Sequence, residues 1–272
     1  MASGKSVGKE MSEGAPAATT GVKPRVGLFV TCLADLMRPK LGFAAIRLLE
    51  DAGCIVEVPL DQTCCGQPAF NSGASDHAAD LAKQLIRQFE AFDYVVVPSG
   101  SCAAMIKVHY PEALADEPEW LPRATALAAK TWELISFLVD VRGYRPKGVS
   151  LRTSATYHVS CSGLRELGIR PQPYKLLAAI DGLEMRPLPG ADVCCGFGGT
   201  FCVKYPAISD AIVGEKAAAV AGTGAAMLLG GDLGCLMNIA GKLSRQGSKV
   251  RVMHVAEVVA GLGEEPAIGE QE

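Results

Sequence analysis

The stretch TCCGQPAF at residues 63–70 has an echo, VCCGFGGT, at residues 193–200. The two Cys-Cys-Gly triplets stand 130 residues apart. One cysteine precedes each triplet, Cys32 and Cys161, offset by 129, and one follows, Cys102 and Cys235, offset by 133. Three landmarks in the same order at nearly constant spacing read as a duplicated unit. Each copy brings a quartet of cysteines: Cys32, Cys64, Cys65 and Cys102, then Cys161, Cys194, Cys195 and Cys235.

The surroundings repeat as well. RVGLFVT, ahead of Cys32, is a β-branched and apolar run that predicts a buried strand, and SATYHVS, ahead of Cys161, a weaker one. Residues 39–52 predict a helix with Leu41, Ala44, Ala45, Leu48 and Leu49 on one face, followed by a strand at IVEVP. A second helix is predicted from 75 to 92, striped by Leu81, Leu85, Ile86, Phe89 and Phe92, with Ser75 or Asp76 as its cap. YVVVPSGSC then predicts a strand ending in the turn that carries Cys102. AIVGEKAAAVAG and AMLLGGDLGC are the matching helix, strand and turn of the second half.

This alternation predicts an α/β fold: two pseudo-repeated parallel α/β units from an internal duplication, with cluster sites at the strand C-terminal ends. The expected divisions are a disordered tail over 1–24, a first unit with a linker helix from about 121 to 141 over 25–145, a second unit over 146–262, and a tail over 263–272. Cysteines at strand ends that open helices meet unpaired N–H groups and a partial positive charge, which favour thiolate.

The composition sets bounds. The chain has 272 residues, 49% hydrophobic and 20% charged, enough apolar material for a core. A net charge of −3 and 6% aromatics argue against nucleic acid as a partner. No stretch reaches the roughly 18 apolar residues of a membrane span, and the N-terminus lacks the apolar core of a signal peptide, so a cytoplasmic location is expected. In a reducing compartment, ten cysteines grouped this way point to metal or catalysis rather than disulfides.

Four thiolates suit zinc, an iron–sulfur cluster or a catalytic dithiol. Structural zinc sites usually draw on two close Cys-x₂₋₄-Cys knuckles. Here two ligands are directly adjacent and the other two lie about 30–40 residues away on either side, which suits a bulky cluster better. Gly66 and Gly196 suit a backbone turning tightly around such a core.

The doubled Cys…Cys-Cys-Gly…Cys pattern resembles the cysteine-rich Cys-Cys-Gly domain family, which includes the disulfide-cleaving component of heterodisulfide reductase. VVVPSGSC and GGDLGC resemble its short two-repeat lactate-utilisation subgroup, and the likeness runs from about residue 25 to 262. The resemblance implies an iron–sulfur electron-transfer subunit of an L-lactate-oxidising complex. It implies two [4Fe–4S] clusters held by the eight cysteines, with a ferredoxin-like iron–sulfur subunit and a third lactate-utilisation subunit as partners. The alternatives are a heterodisulfide reductase-like catalytic subunit and a zinc-stabilised scaffold. The family's fuller motif ends in Cys-x-x-Cys; here its first position is Ser99 in one half and Asp232 in the other. Asp232 is therefore either a carboxylate ligand or a turn or cap residue. Cys202 is either a metal ligand or near-cluster thiol or a packing residue, and His158, three residues before Cys161, either a ligand or donor to the cluster or an ordinary strand-end histidine. Cys54, with no counterpart in the second half, reads as a small buried hydrophobe.

Overall fold

The computed structural model describes residues 22–270. Eight strands form two separate parallel sheets. The first half supplies β1 (Arg25–Leu28), β2 (Ile55–Glu57), β3 (Tyr94–Val97) and β4 (Thr131–Glu133). The second supplies β5 (Ser150–His158), β6 (Asp181–Met185), β7 (Met227–Gly230) and β8 (Arg251–His254). The strand orders are β2-β1-β3-β4 and β6-β5-β7-β8, one topology used twice. The α/β class and the duplication expected from the cysteine spacing are both observed.

The strands are parallel because each pair is joined through helices that cover the sheet faces. Val95, Val96 and Val97 of β3 are accordingly buried on both sides. In β1, a Cβ on Gly27 would lie 2.6 Å from Phe92 and 2.8 Å from Phe89, so glycine lets the helix Ser75–Phe89 settle on the sheet. That helix is preceded by Ala74 with no side-chain cap, so neither Ser75 nor Asp76 caps it.

The order within each sheet places a switch point between β1 and β3, and again between β5 and β7. The chain leaves these neighbours in opposite directions, which opens a crevice at their carboxyl ends. The loops that carry the cysteines lie there.

The stretch expected to run as one linker helix from about 121 to 141 does not. A helix ends at Lys130, β4 pairs with β3 in the register Val95↔Thr131, Val96↔Trp132 and Val97↔Glu133, and helical backbone resumes at Leu134. Pairing with β3 outweighs the helical pattern on either side of a three-residue strand. The tail expected over 1–24 lies, up to residue 21, outside the described residues. Residues 263–270 run along β8: Ile268 N–H donates to the Val252 carbonyl at 2.9 Å, and Ala267 is buried. Among the described residues no helix is long and apolar enough to cross a membrane.

The largest apolar cluster is shared between halves. Leu134, Phe137 and Leu138 of the first pack with Tyr157, Leu177, Val255 and Val259 of the second. The junction also holds a buried ion pair. Arg38 Nε lies 2.9 Å and 3.1 Å from the two Glu257 carboxylate oxygens, and its guanidinium also donates to the Pro266 carbonyl at 2.8 Å.

Glu133 and His254 end β4 and β8 at equivalent places, and each caps the following helix through its side chain. Glu133 accepts from Ser136 N–H at 2.8 Å, and His254 Nδ1 from Ala256 N–H at 3.2 Å. Burial, with Asp232 nearby, raises the Glu133 carboxyl to about 7. Burial depresses His254 to about 4. The two act oppositely on stability. Folded Glu133 holds a proton that the unfolded chain releases, so its contribution is lost as pH rises from about 4.5 to about 7. Folded His254 refuses a proton that the unfolded chain takes, so its contribution grows from about pH 4 to about 6.5. Glu133→Gln keeps the cap and removes one titration. Its stability relative to the parent is expected to rise between pH 5 and 7 and level off about 2–3 kcal/mol higher, read from urea midpoints at each pH. A pH-independent difference refutes this assignment.

Candidate metal centres

Each quartet is assembled at the carboxyl ends of three strands. After β1, Cys32 opens the helix Cys32–Met37. It follows Thr31 at φ 78°, the single non-glycine residue with positive φ among the described residues. A β-branched residue is strained there, and such strain concentrates at functional sites. Cys64 and Cys65 lie on the loop after β2. Gly66, at φ 86°, turns the chain into the helix Gln67–Asn71. Cys102 is the third residue of the helix Gly100–Ala104, where Ser99 Oγ accepts its N–H at 3.4 Å. The second half repeats the plan. Cys161 opens Cys161–Arg165, Cys194 and Cys195 precede Gly196 at φ 80°, and Cys235 is third in Leu233–Arg245.

The four sulfurs of each half form a chain of interacting neighbours. In the first it runs Cys32, Cys64, Cys65, Cys102. In the second it runs Cys161, Cys194, Cys195, Cys235, with Cys195 Sγ 2.8 Å from Cys235 Sγ. All ten cysteines are free thiols. Hydrogen bonds from Cys32 and Cys65 hold Cys64 down to about 2, and those from Cys161 and Cys195 do the same for Cys194, aided by the Gly66 and Gly196 N–H groups. The sulfurs that share those bonds, Cys32, Cys65, Cys161 and Cys195, are pushed up, with burial adding to the rise. Cys64 and Cys194 are thus the sulfurs most readily held as thiolates. Four together need a positive core to offset their mutual repulsion, which is what a metal centre supplies. The donor set therefore fits a soft metal or cluster.

The carbonyl of the second cysteine in each triplet is held by a side chain. Tyr110 Oη donates to the Cys65 carbonyl at 2.9 Å, and Asn238 Nδ2 to the Cys195 carbonyl at 2.9 Å. Neither residue was signalled by the sequence, since the same task falls to different residue types at different offsets.

The positions that stand where the fuller motif has a further cysteine meet each other. Asp232 Oδ2 accepts Ser99 Oγ at 3.2 Å and Ser101 N–H at 2.9 Å, and Gly100 N–H reaches the Gly231 carbonyl at 3.3 Å. The turns carrying Cys102 and Cys235 are thus bonded directly across the junction. Cys202 stands outside the thiol chain and donates to the Gly199 carbonyl at 3.2 Å. Cys54 is buried in the shared core, and burial raises its thiol. Lys107, near Cys102 in sequence, turns to the Ala128 and Thr131 carbonyls.

His158, at the end of β5, is 1% exposed, and neither ring nitrogen has a hydrogen-bond partner among the described residues. A ring nitrogen, Cys195 Sγ and Cys235 Sγ all lie within 4.8 Å of one another. Burial, with the Lys216 charge nearby, lowers the imidazole to about 4. Lys216 is itself buried and donates to the Gly190 carbonyl beside the second triplet.

The two triplet glycines differ in room. A Cβ on Gly66 would lie 3.5 Å from the nearest atom, the Ala78 carbonyl oxygen, whereas on Gly196 it would meet the Ser209 carbonyl oxygen at 2.8 Å. Gly66→Ala is expected to cost only the left-handed backbone strain, about 1–2 kcal/mol. Gly196→Ala is expected to cost at least about 1 kcal/mol more, because backbone must move. Equal losses in urea unfolding would contradict this.

The family model for a cysteine-rich domain, CCG, matches residues 26–107 and 155–240, one match per half. Lactate utilization protein A of Geobacillus kaustophilus (strain HTA426) is 52% identical over 235 residues, covering 86% of this chain and 98% of that protein. Lactate utilization protein A of Bacillus subtilis (strain 168) is 49% identical over the same shares. In three dimensions the chain is similar to a hypothetical protein from Helicobacter pylori known from a crystal structure, with a TM-score of 0.64 at 13% identity. That likeness covers 96% of this chain and 52% of the other and concerns the fold alone. Two copies of the matched domain, each closing a cysteine quartet at its switch point, and close identity along nearly the whole of those relatives place the chain in the cysteine-rich CCG domain family, in the group of Lactate utilization protein A.

Proposed function

We propose that this protein is an iron–sulfur electron-transfer subunit of an L-lactate-oxidising system. Each cysteine quartet holds one cluster, of the [4Fe–4S] type that four thiolates suffice to bind. The observation that carries this reading is the pair of thiol chains, Cys32–Cys64–Cys65–Cys102 and Cys161–Cys194–Cys195–Cys235. Each is drawn from three loops and brings four sulfurs together in one crevice. The substrate follows from the relatives' name, lactate utilization protein A. The partners are those the family resemblance implies: a ferredoxin-like iron–sulfur subunit and a third subunit of the same system. Asp232 acts here as a positioning residue that ties the Cys235 turn to the Cys102 turn. The two turns are thereby joined by hydrogen bonds.

Anaerobic purification followed by iron, acid-labile sulfide and EPR measurements tests the reading. About eight iron and eight sulfide per chain are expected from two cubane clusters. Stoichiometric zinc without labile sulfide overturns it.

A further inference from the structure

We propose that His158 supplies a nitrogen donor to iron at the second cysteine site, so that the two halves hold chemically different centres: sulfur alone in the first, sulfur and nitrogen in the second. This rests on the reading that the quartets bind iron–sulfur clusters.

The ring of His158 is closed off from water with both nitrogens unpartnered. A buried polar group left unsatisfied forgoes the hydrogen bonds that water would give it, so in the functional protein a partner is called for. The candidates at hand are the sulfurs of Cys195 and Cys235, with which a ring nitrogen forms a group spanning no more than 4.8 Å, and whatever those sulfurs bind. The backbone fixes where this residue sits. His158 pairs with Gly230 in the register of β5 and β7, and the next residue, Val159, donates its N–H to the Ala191 carbonyl just ahead of the second triplet. Imidazole is a common iron ligand and can replace thiolate at individual irons of a cluster, so the second centre would hold one of its four iron positions through the His158 nitrogen and three through sulfur.

The first half shows what the same position looks like without a donor. The offset of 129 that relates Cys32 to Cys161 relates Phe29 to His158. Phe29 is fully buried and packs edge-on against Phe89, with ring centroids 5.9 Å apart. The duplicated scaffold therefore accepts an apolar ring at this place. A histidine kept dry there beside two cysteines is not required by packing.

The test uses the full chain, loaded anaerobically with ferrous iron and sulfide and reduced with dithionite. Pulsed EPR is recorded on the unlabelled protein, on protein carrying heavy-nitrogen histidine, and on His158→Phe, which installs the residue of the first half. One of the two centres is expected to show a strong nitrogen coupling that changes with the label and disappears in His158→Phe, while the other centre is unchanged. Two loaded centres without strong nitrogen coupling overturn the proposal and leave the parent reading standing. A weak coupling, the mark of a hydrogen bond to sulfur rather than a bond to iron, also overturns it. A coupling that survives in His158→Phe overturns it as well. If that variant does not load its second site, the labelled wild-type chain alone decides. A chain that takes up no cluster in either half refutes both the parent reading and this one.

Discussion

Cys195→Ser is expected to erase one of the two sets of EPR signals and to lower iron and labile sulfide to about half, leaving the other set intact. Cys65→Ser is expected to erase the complementary set. Cys195 sits inside its thiol chain, bonded to Cys194 on one side and to Cys235 at 2.8 Å on the other, with only 2% of its surface exposed. A serine hydroxyl is a poor donor to a soft iron–sulfur core and does not ionise near neutral pH, so one quartet loses a sulfur ligand, and the His158 nitrogen, already engaged at that site, is not free to take its place. The other quartet lies in the crevice of a different sheet and keeps all four sulfurs. Cys202→Ser is the matched control. That thiol bonds only to the Gly199 carbonyl and lies outside the chain, so both sets of signals should persist. Loss of both sets in Cys195→Ser with the fold retained, or of neither, refutes the assignment of one centre to each half.

The second large effect concerns stability. Arg38→Met is expected to cost about 3–5 kcal/mol, the penalty of leaving a buried charge without its partner. The pair has side-chain exposures of 8% for Arg38 and 0% for Glu257. After the substitution Glu257 keeps the backbone N–H of His254, donated at 3.1 Å, but nothing offsets its charge. Removing both partners together, as Arg38→Met with Glu257→Leu, is expected to recover much of the loss, since a hydrophobic replacement of a buried pair is often neutral. Urea unfolding of the single and double variants at equal cluster loading gives the coupling directly. A loss below about 1 kcal/mol for Arg38→Met refutes the buried-charge account. Because Arg38 closes the helix that Cys32 opens, the same pair also steadies the first site against the second half of the chain.

Much of this protein is legible in one dimension because its duplication leaves a chemical mark. Cysteine pairs followed by glycine are uncommon enough that Cys64-Cys65-Gly66 and Cys194-Cys195-Gly196 align themselves, and the flanking Cys32, Cys102, Cys161 and Cys235 follow. The helices at Pro39–Asp51 and Ser75–Phe89 were readable from their apolar period, and the strand Tyr94–Val97 from its β-branched apolar run. The strand Thr131–Glu133 was not readable. Three residues between helical patterns have no period of their own, and only β3 alongside makes them a strand.

The contacts that join the halves lie further from the reach of sequence. Ser99 meets Asp232 over 133 residues, and Arg38 meets Glu257 over 219. Such pairings depend on how one completed unit docks on the other, and no local propensity encodes that. The same holds for His158. The sequence set it three residues before a cysteine, but whether its ring faced water, core or sulfur was decided by burial at the end of β5 and by the fold bringing Cys195 and Cys235 beside it. By itself the sequence determined that there are two units, which cysteines belong to each, and that they gather where parallel strands end, because those features recur at fixed spacing. The tertiary structure decided what differs between the two sites, because a duplicated backbone can place an apolar ring in one half and a dry imidazole in the other at the same position.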